Sequence, residues 1–556
     1  MLLASCHPLL RAGVVACAAF AIGVAPAAAS EPVTGRLLVT LKSQSGAHAA
    51  ATARVAVSGA GVRVAGPVTP VLRLVTVRPA AGTSPRAAAA RLRALPQVAR
   101  VEVEHRHVLR AAPDDPALTT EEPAVGTPPG TVIEWWAARQ NLPAMWDITR
   151  GSNATVAVID TGADGNHPEL APKIVGGIDN DSTAGHGAAT VDEVGHGTHV
   201  ASLACAGSGN GQGLAGAGLD CKLLIIKSDL SDSSIATSIT EAVDHGADAI
   251  NMSFGTDGSQ PAASPIVRAI DYAVAHGVVL VAAAADEPVQ EQGDPSNVLQ
   301  PTGTGSDITQ GKGLSVTAAE FAGDRAPFAG YGSQVSMAAF GSYGGAGGPR
   351  GIFGAFPANQ TELEQVSLTS AGCRCRTTFR ADNRYAYVQG TSMAAPMVTA
   401  VAAVVRRLNP DLSALDIVHL LKQTATRPAG TGWTADLGWG ILDGGAAAAV
   451  ARTIDRRAPT SSVRAADRVV SGRSVLLTVK RDDKAPAGCV PSGVRRVELW
   501  RGTNGAAARR IALSVADKVR VSVKRGSRYR YFTIAVDAAG NREAVPSRAD
   551  TTVRGG

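Results

Sequence analysis

The sequence predicts an α/β layered domain built on a mostly parallel sheet, with a small α+β unit before it and an all-β sandwich after it. Three observations carry this expectation. From residue 155 onward, short apolar runs alternate with helical patterns, the arrangement that yields parallel strands with covering helices. The stretch "VVLVAAAADEP", residues 278–288, is apolar without alternation, as expected of a strand covered on both faces. The last hundred residues hold several short alternating strands separated by Gly, Asp and Asn turns, the pattern of a sandwich. At 556 residues, 45% of them hydrophobic and 18% charged, the chain is globular and exceeds one core.

The elements follow in order. Residues 1–30 carry Arg11, an apolar stretch and a small-residue end with Ala27 and Ala29, the layout of a secretory signal peptide. In residues 31–112, "RLLVTL", "LRLVTV" and "VARVEVEHRHVL" read as strands and "SPRAAAARLRAL" as an N-capped helix. Residues 113–133 are rich in Pro, Asp, Glu and Thr, a composition that predicts a flexible linker. Residues 134–455 hold the repeats: strands "TVAVID", "CKLLIIKS", "ADAINMSF" and the run at 278, with helices "SSIATSITEAVDHG" and "ASPIVRAIDYAVAHG" between them. Residues 456–556 read as a basic, Ig-like β-sandwich through "RSVLLTVKRDD", "VRRVELWRG", "KVRVSVKRG" and "RYFTIAVDAAGNRE".

The net charge of +6 divides unevenly. Residues 31–111 carry +9, residues 112–455 carry −18 and residues 456–556 carry +14. The overall basicity is therefore no reason to expect nucleic-acid binding; it suits docking of the basic segments onto acidic surfaces. Of seven cysteines, Cys6 and Cys17 leave with the signal. In an oxidising compartment Cys205 and Cys221 can close a short loop, while Cys373, Cys375 and Cys489 permit no unique pairing.

Chemistry concentrates in three stretches. "VAVIDTGAD" places Asp160 at a strand end, where functional residues of parallel sheets gather. "GHGTHVAS" places His196 at a glycine-flanked helix entrance, and "GTSMAAPMVTAVAAVVRRL" places Ser392 at the start of a long apolar helix. Singly, these are a capping acid, a metal-ligand pair (His196 with His199, lacking an evident third ligand) and an N-cap serine. Together they are the parts of a nucleophilic acyl-transfer triad: a hydroxyl, the imidazole that takes its proton, and the carboxylate that orients the imidazole.

These three motifs resemble those of the subtilisin-like serine peptidases, over about 320 residues from "EWWAARQNLPAMWDITRG" to "WGILDGGAAAAVA". The resemblance implies a subtilisin-like three-layer fold and a secreted, self-processing serine endopeptidase acting on protein or peptide substrates. Asp160 would orient His196, His196 would serve as base and then acid, and Ser392 would be the nucleophile. It further implies that Ser253, Phe254 and Gly255 of "NMSFG" pair with substrate backbone, and that residues 31–112 are an inhibitory propeptide. No cofactor is required and no metal ligand set is assigned. Structural calcium is compatible with the acidic middle, although the loop "GSGNGQGLAG" shows no obvious ligand set. Acidic cell-envelope polymers are a candidate partner for the C-terminal domain.

The resemblance breaks at one position. The family's oxyanion asparagine is replaced by Asp286, and an ionised carboxylate cannot donate a hydrogen bond. Three readings stay open: a protonated Asp286 that donates, a slow enzyme, or an Asp286 turned away from the oxyanion. An idle homologue that only binds extended peptides is the rival function. Residues 341–389, with "AGCRCR", exceed the family's usual length and read as a surface loop.

Overall fold

The computed structural model describes residues 33–42, 61–69, 73–80, 83–105, 113–365, 372–428, 430, 432–514 and 516–556. The signal peptide and any cleavage site before residue 33 lie outside the described residues. The chain divides into two compact units, Met1–Arg110 and Ala111–Gly556.

The first unit is a four-stranded antiparallel sheet, formed by Val33–Leu41 (β1), Val62–Thr69 (β2), Leu74–Pro79 (β3) and Val98–His105 (β4) in the order β2-β3-β1-β4. One helix, Pro85–Arg93, starts where the Ser84 hydroxyl accepts from Ala87 N. It buries Ala88, Ala89 and Leu92 against Leu37, Val39, Val75 and Val77. This α+β unit holds the helix and three strands read from the sequence and a fourth strand, β2, that was not read.

The second unit is organised by a seven-stranded sheet: Thr155–Asp160 (β5), Ile174–Asn180 (β6), Lys222–Ser228 (β7), Ala249–Met252 (β8), Val279–Ala283 (β9), Leu314–Ala319 (β10) and Met337–Phe340 (β11). Its order is β11-β10-β9-β8-β5-β7-β6 and every pairing is parallel. β9 is buried throughout, as its unbroken apolar run requires. One face of the sheet packs on the helices His196–Cys205 and Thr391–Leu408, the other on Asp232–Asp244 and Ser264–Ala275. The three-layer α/β expectation holds.

Two expectations are corrected here. Residues 113–133 are not a loose linker: Asp115, Pro116 and Ala117 are buried, and Glu121 and Val132 form a β-bridge. Composition misled because the acids find backbone donors; Asp115 accepts from Gly209 N and Asn210 N. The stretch 341–389 is not merely a surface loop. It contains Ile352–Ala355 (β12), Arg376–Phe379 (β13) and Asp382–Val388 (β14), an antiparallel sheet in which Phe353, Phe379 and Tyr385 stack together. The Cys205–Cys221 disulfide is present; Cys373 pairs with Cys375, leaving Cys489 free.

The last hundred residues form Thr460–Ala465 (β15), Val469–Val470 (β16), Ser474–Asp482 (β17), Val494–Thr503 (β18), Arg509–Ala512 (β19), Lys518–Ser522 (β20), Arg528–Asp537 (β21) and Thr551–Gly555 (β22). They assemble into sheets β15-β17-β20 and β16-β22-β21-β18-β19. Val463, Leu477, Leu499 and Tyr531 share one core between them, the sandwich that alternation predicts. No helix among the described residues is long and apolar enough to cross a membrane.

Candidate active site

Three element ends converge on one cleft. Asp160 closes β5, 2% exposed, and its Oδ1 accepts from Thr161 N at 2.8 Å and from His196 Nδ1 at 2.7 Å. His196 opens its helix behind Gly195, whose φ of 90° is a left-handed conformation that glycine adopts at no steric cost. Gly197 is demanded by proximity: a Cβ there would sit 2.0 Å from the Gly162 carbonyl oxygen. Burial pushes the His196 pKa down, but the carboxylates of Asp160, Asp192 and Asp286 push it up, and the net direction is upward.

Ser392 stands in the first turn of its helix after Gly390. Its hydroxyl donates to Ser253 O at 3.1 Å, and the Ser253 hydroxyl donates to Ser392 O at 2.9 Å. Asn251 Nδ2 donates to that same Ser253 hydroxyl, and Thr399 donates to Asn251 Oδ1. The end of β8 is thereby tied to the serine's helix. Ser392 and His196 line a cleft of about 890 Å³, together with Asp286 and, from the 341–389 stretch, Arg350, Arg374 and Tyr387. That stretch is a wall of the cleft.

Asp286, three residues past the end of β9, is on the exposed cleft side but turns its carboxyl group inward. Oδ1 accepts from Thr391 N at 2.7 Å and from Thr391 Oγ1 at 2.9 Å. Loss of solvent around the carboxyl group raises its pKa, against the lowering effect of those two donors and of His196. An acid at this place thus caps the helix that presents Ser392, as helix N-termini favour. Phe254 and Gly255 line a second pocket of about 300 Å³ with Ala283–Glu287, Thr391 and Ser392. Ser253 does not open onto that pocket; both its polar groups are engaged by Ser392.

Sequence reasoning missed Asp192. It is buried, and accepts from Gly195 N, Thr198 N, Thr198 Oγ1 and Thr161 Oγ1. Thr161 Oγ1 in turn accepts from Gly197 N, so Asp192 frames the backbone around His196. The only signal was an acid three residues before Gly195, which reads as a turn residue. His199 is fully buried, with Nε2 facing the Ile352 and Ala386 carbonyls, and burial lowers its pKa to about 4.

The loop 207–216 does meet carboxylates, contributed from outside it. Asp115, Glu134 and Glu169 are each buried beside it; Glu169 accepts from Asn210 Nδ2, and Glu134 from Ala215 N. Burial pushes Glu169 up to about 7 and Glu134 well above its ordinary value. Glu134 Oε1 has no partner. The oxygens of these three acids do not converge as a cation site requires; among the described residues only Asp455, Asp483 and Asp537 bring three such ligand atoms within 4.8 Å of one another.

A sequence profile described as the subtilase family matches residues 151–440. Thermitase of Thermoactinomyces vulgaris is 33% identical over 299 residues, 52% of this chain and 87% of its own. A thermophilic serine proteinase of Bacillus sp. (strain AK1) is 30% identical over 344 residues, covering 58% and 72%. Fervidolysin of Fervidobacterium pennivorans is 31% identical over 318 residues, covering 54% of this chain and 41% of its own.

Proposed function

The chain belongs to the subtilase family of serine proteases, and from that premise we propose a secreted, self-processing endopeptidase in which Ser392, His196 and Asp160 form the catalytic triad. The observation that carries this reading is the Asp160–His196 hydrogen bond at 2.7 Å, opening onto the cleft that Ser392 lines. Asp160 fixes the imidazole with its proton on Nδ1 and leaves Nε2 free to accept. In this reading the Ser392 side chain rotates away from Ser253 O to bring its hydroxyl to that nitrogen across the cleft both residues line. His196 takes the proton as Ser392 Oγ attacks the substrate carbonyl, then returns it to the leaving amine, and water repeats the cycle on the acyl-enzyme.

The oxyanion that forms in each step is met by the N–H groups at the start of the Thr391–Leu408 helix. The Thr391 N–H is already spent on Asp286. For Asp286 to donate it must be protonated while His196 is neutral; the upward shift of His196 narrows the pH range where both hold and that of Asp286 widens it. Because Oδ1 already accepts from the Thr391 N–H and hydroxyl, we read Asp286 as an ionised helix cap that restrains the rate. Residues 31–112 act as propeptide and intramolecular inhibitor. Structural calcium is compatible with the family, and no ligand set for it is assigned to Asp115, Glu134 and Glu169.

The test is covalent labelling of Ser392 by a fluorophosphonate probe, with peptide turnover measured alongside. Labelling with turnover supports the enzyme; labelling that fails in the folded chain would favour the idle, peptide-binding homologue.

A further inference from the structure

The C-terminal sandwich carries a hollow of about 450 Å³ lined by Arg468, Arg528, Arg530, Arg554, Thr552 and the buried Tyr529, with no acidic side chain among its lining residues. Its volume falls in the usual range of small-ligand sites. Strand alternation builds it. On β21, Tyr529 and Tyr531 turn into the core, so Arg528 and Arg530 face outward. Pairing with β22 sets Arg528 directly opposite Arg554, and Arg530 opposite Thr552. Like charges facing each other across a strand pair destabilise a sheet, so folding alone gives no reason for this arrangement.

Some arginines of the domain find acids, while others, Arg464 and Arg520 among them, have no ion pair among the described residues. Arg510 and Arg542 both reach Glu498, and Arg481 reaches Asp517. None of the four arginines at the hollow has an ion-pair partner among the described residues. The Arg530 guanidinium meets only the Ala506 carbonyl, at 3.4 Å. Farther along the same face, Trp500 and Phe532 lie half-buried with parallel rings, 5.9 Å between centroids. Guanidinium forks match carboxylate and phosphate oxygens, and flat aromatic rings suit the apolar face of a sugar.

We propose that this face is a binding site for an acidic polysaccharide, with Arg468, Arg528, Arg530 and Arg554 taking its carboxylate or phosphate groups. The site is independent of the peptidase reaction, and its ligand tethers the enzyme where such polymers accumulate. A concave hollow of this size, beside an aromatic pair, fits single charged sugar units better than the regular backbone of a nucleic-acid duplex.

The experiment measures binding of the full chain to polygalacturonate, to phosphorylated dextran and to duplex DNA, at low and near-physiological salt. The double variant Arg528→Gln/Arg554→Gln is compared with Arg464→Gln/Arg520→Gln, which removes the same charge from exposed positions on the other sheet. The expected result is polysaccharide binding that the first pair weakens about tenfold or more, two charge-assisted contacts being lost, and that the second pair leaves within about twofold. Peptide turnover stays at the wild-type value in both variants, and the thermal midpoint of the first pair does not fall, since neutralising Arg528 and Arg554 relieves like-charge repulsion. Preference between the two polysaccharides identifies carboxylate or phosphate as the group recognised. Equal losses from both pairs would reduce the effect to general basicity and overturn the site. Tighter binding of duplex DNA than of either polysaccharide would overturn the ligand class.

Discussion

Replacing Asp286 by asparagine should accelerate this enzyme. The two side chains have the same shape, so Oδ1 of the amide keeps both Thr391 donors. Oδ2, which has no hydrogen-bond partner among the described residues, becomes an NH₂ group able to donate to an oxyanion. In subtilisin, one such donor is worth about 10²–10³ in kcat, or about 2.7–4 kcal/mol. Some of that range is withheld here, because the amide must first satisfy the helix start, and a gain of about 10² is expected. A second effect carries its own sign. Asp286 is one of the carboxylates raising the His196 pKa, so its neutralisation lowers that pKa and extends activity toward acid. The assay is kcat and kcat/KM for a peptide substrate from about pH 5 to pH 9, with active sites titrated by the fluorophosphonate. A change in kcat below about threefold, or an acid limb that moves to higher pH, would refute the assignment of Asp286 as a brake.

Three further outcomes are expected. Ser392→Ala should abolish probe labelling and leave the secreted chain at precursor size, heavier by roughly the 31–112 segment; processing to the mature size by that variant would place the cleavage in another protease. Glu169, with a folded pKa of about 7 against an ordinary 4.5, costs stability increasingly as pH rises from 4.5 through 7. The melting temperature should therefore lose a contribution as pH rises from 4.5 through 7, and Glu169→Gln should reduce that loss, read by calorimetry. Replacing both Cys205 and Cys221 by alanine opens a loop of sequence separation 16. The chain-entropy argument gives about 3 kcal/mol, and a denaturation midpoint unchanged by the substitution would count against it.

The proposed catalytic parts are legible in the sequence because their positions are local. Asp160 ends an apolar strand, His196 follows a glycine that only a tight turn needs, and Ser392 precedes a long apolar helix. The same locality exposed the one departure, since Asp286 ends the run "VVLVAAAADEP". What the acid does there was not legible. It depends on Thr391, 105 residues away, whose N–H and hydroxyl both turn toward Oδ1. Asp192 and Ser253 were likewise invisible as supports, because each works through hydrogen bonds that exist only once two elements have met. The 341–389 stretch lacks strong periodicity, yet it builds one wall of the cleft by covering His199 and the end of its helix. Local patterning, set by burial period and turn chemistry, thus determined the fold class and pointed to the proposed reacting groups. The direction of a carboxylate, the partner of a buried acid and the opposition of Arg528 to Arg554 were decided by tertiary contact, because hydrogen bonds and charge pairs depend on distance in space and not along the chain.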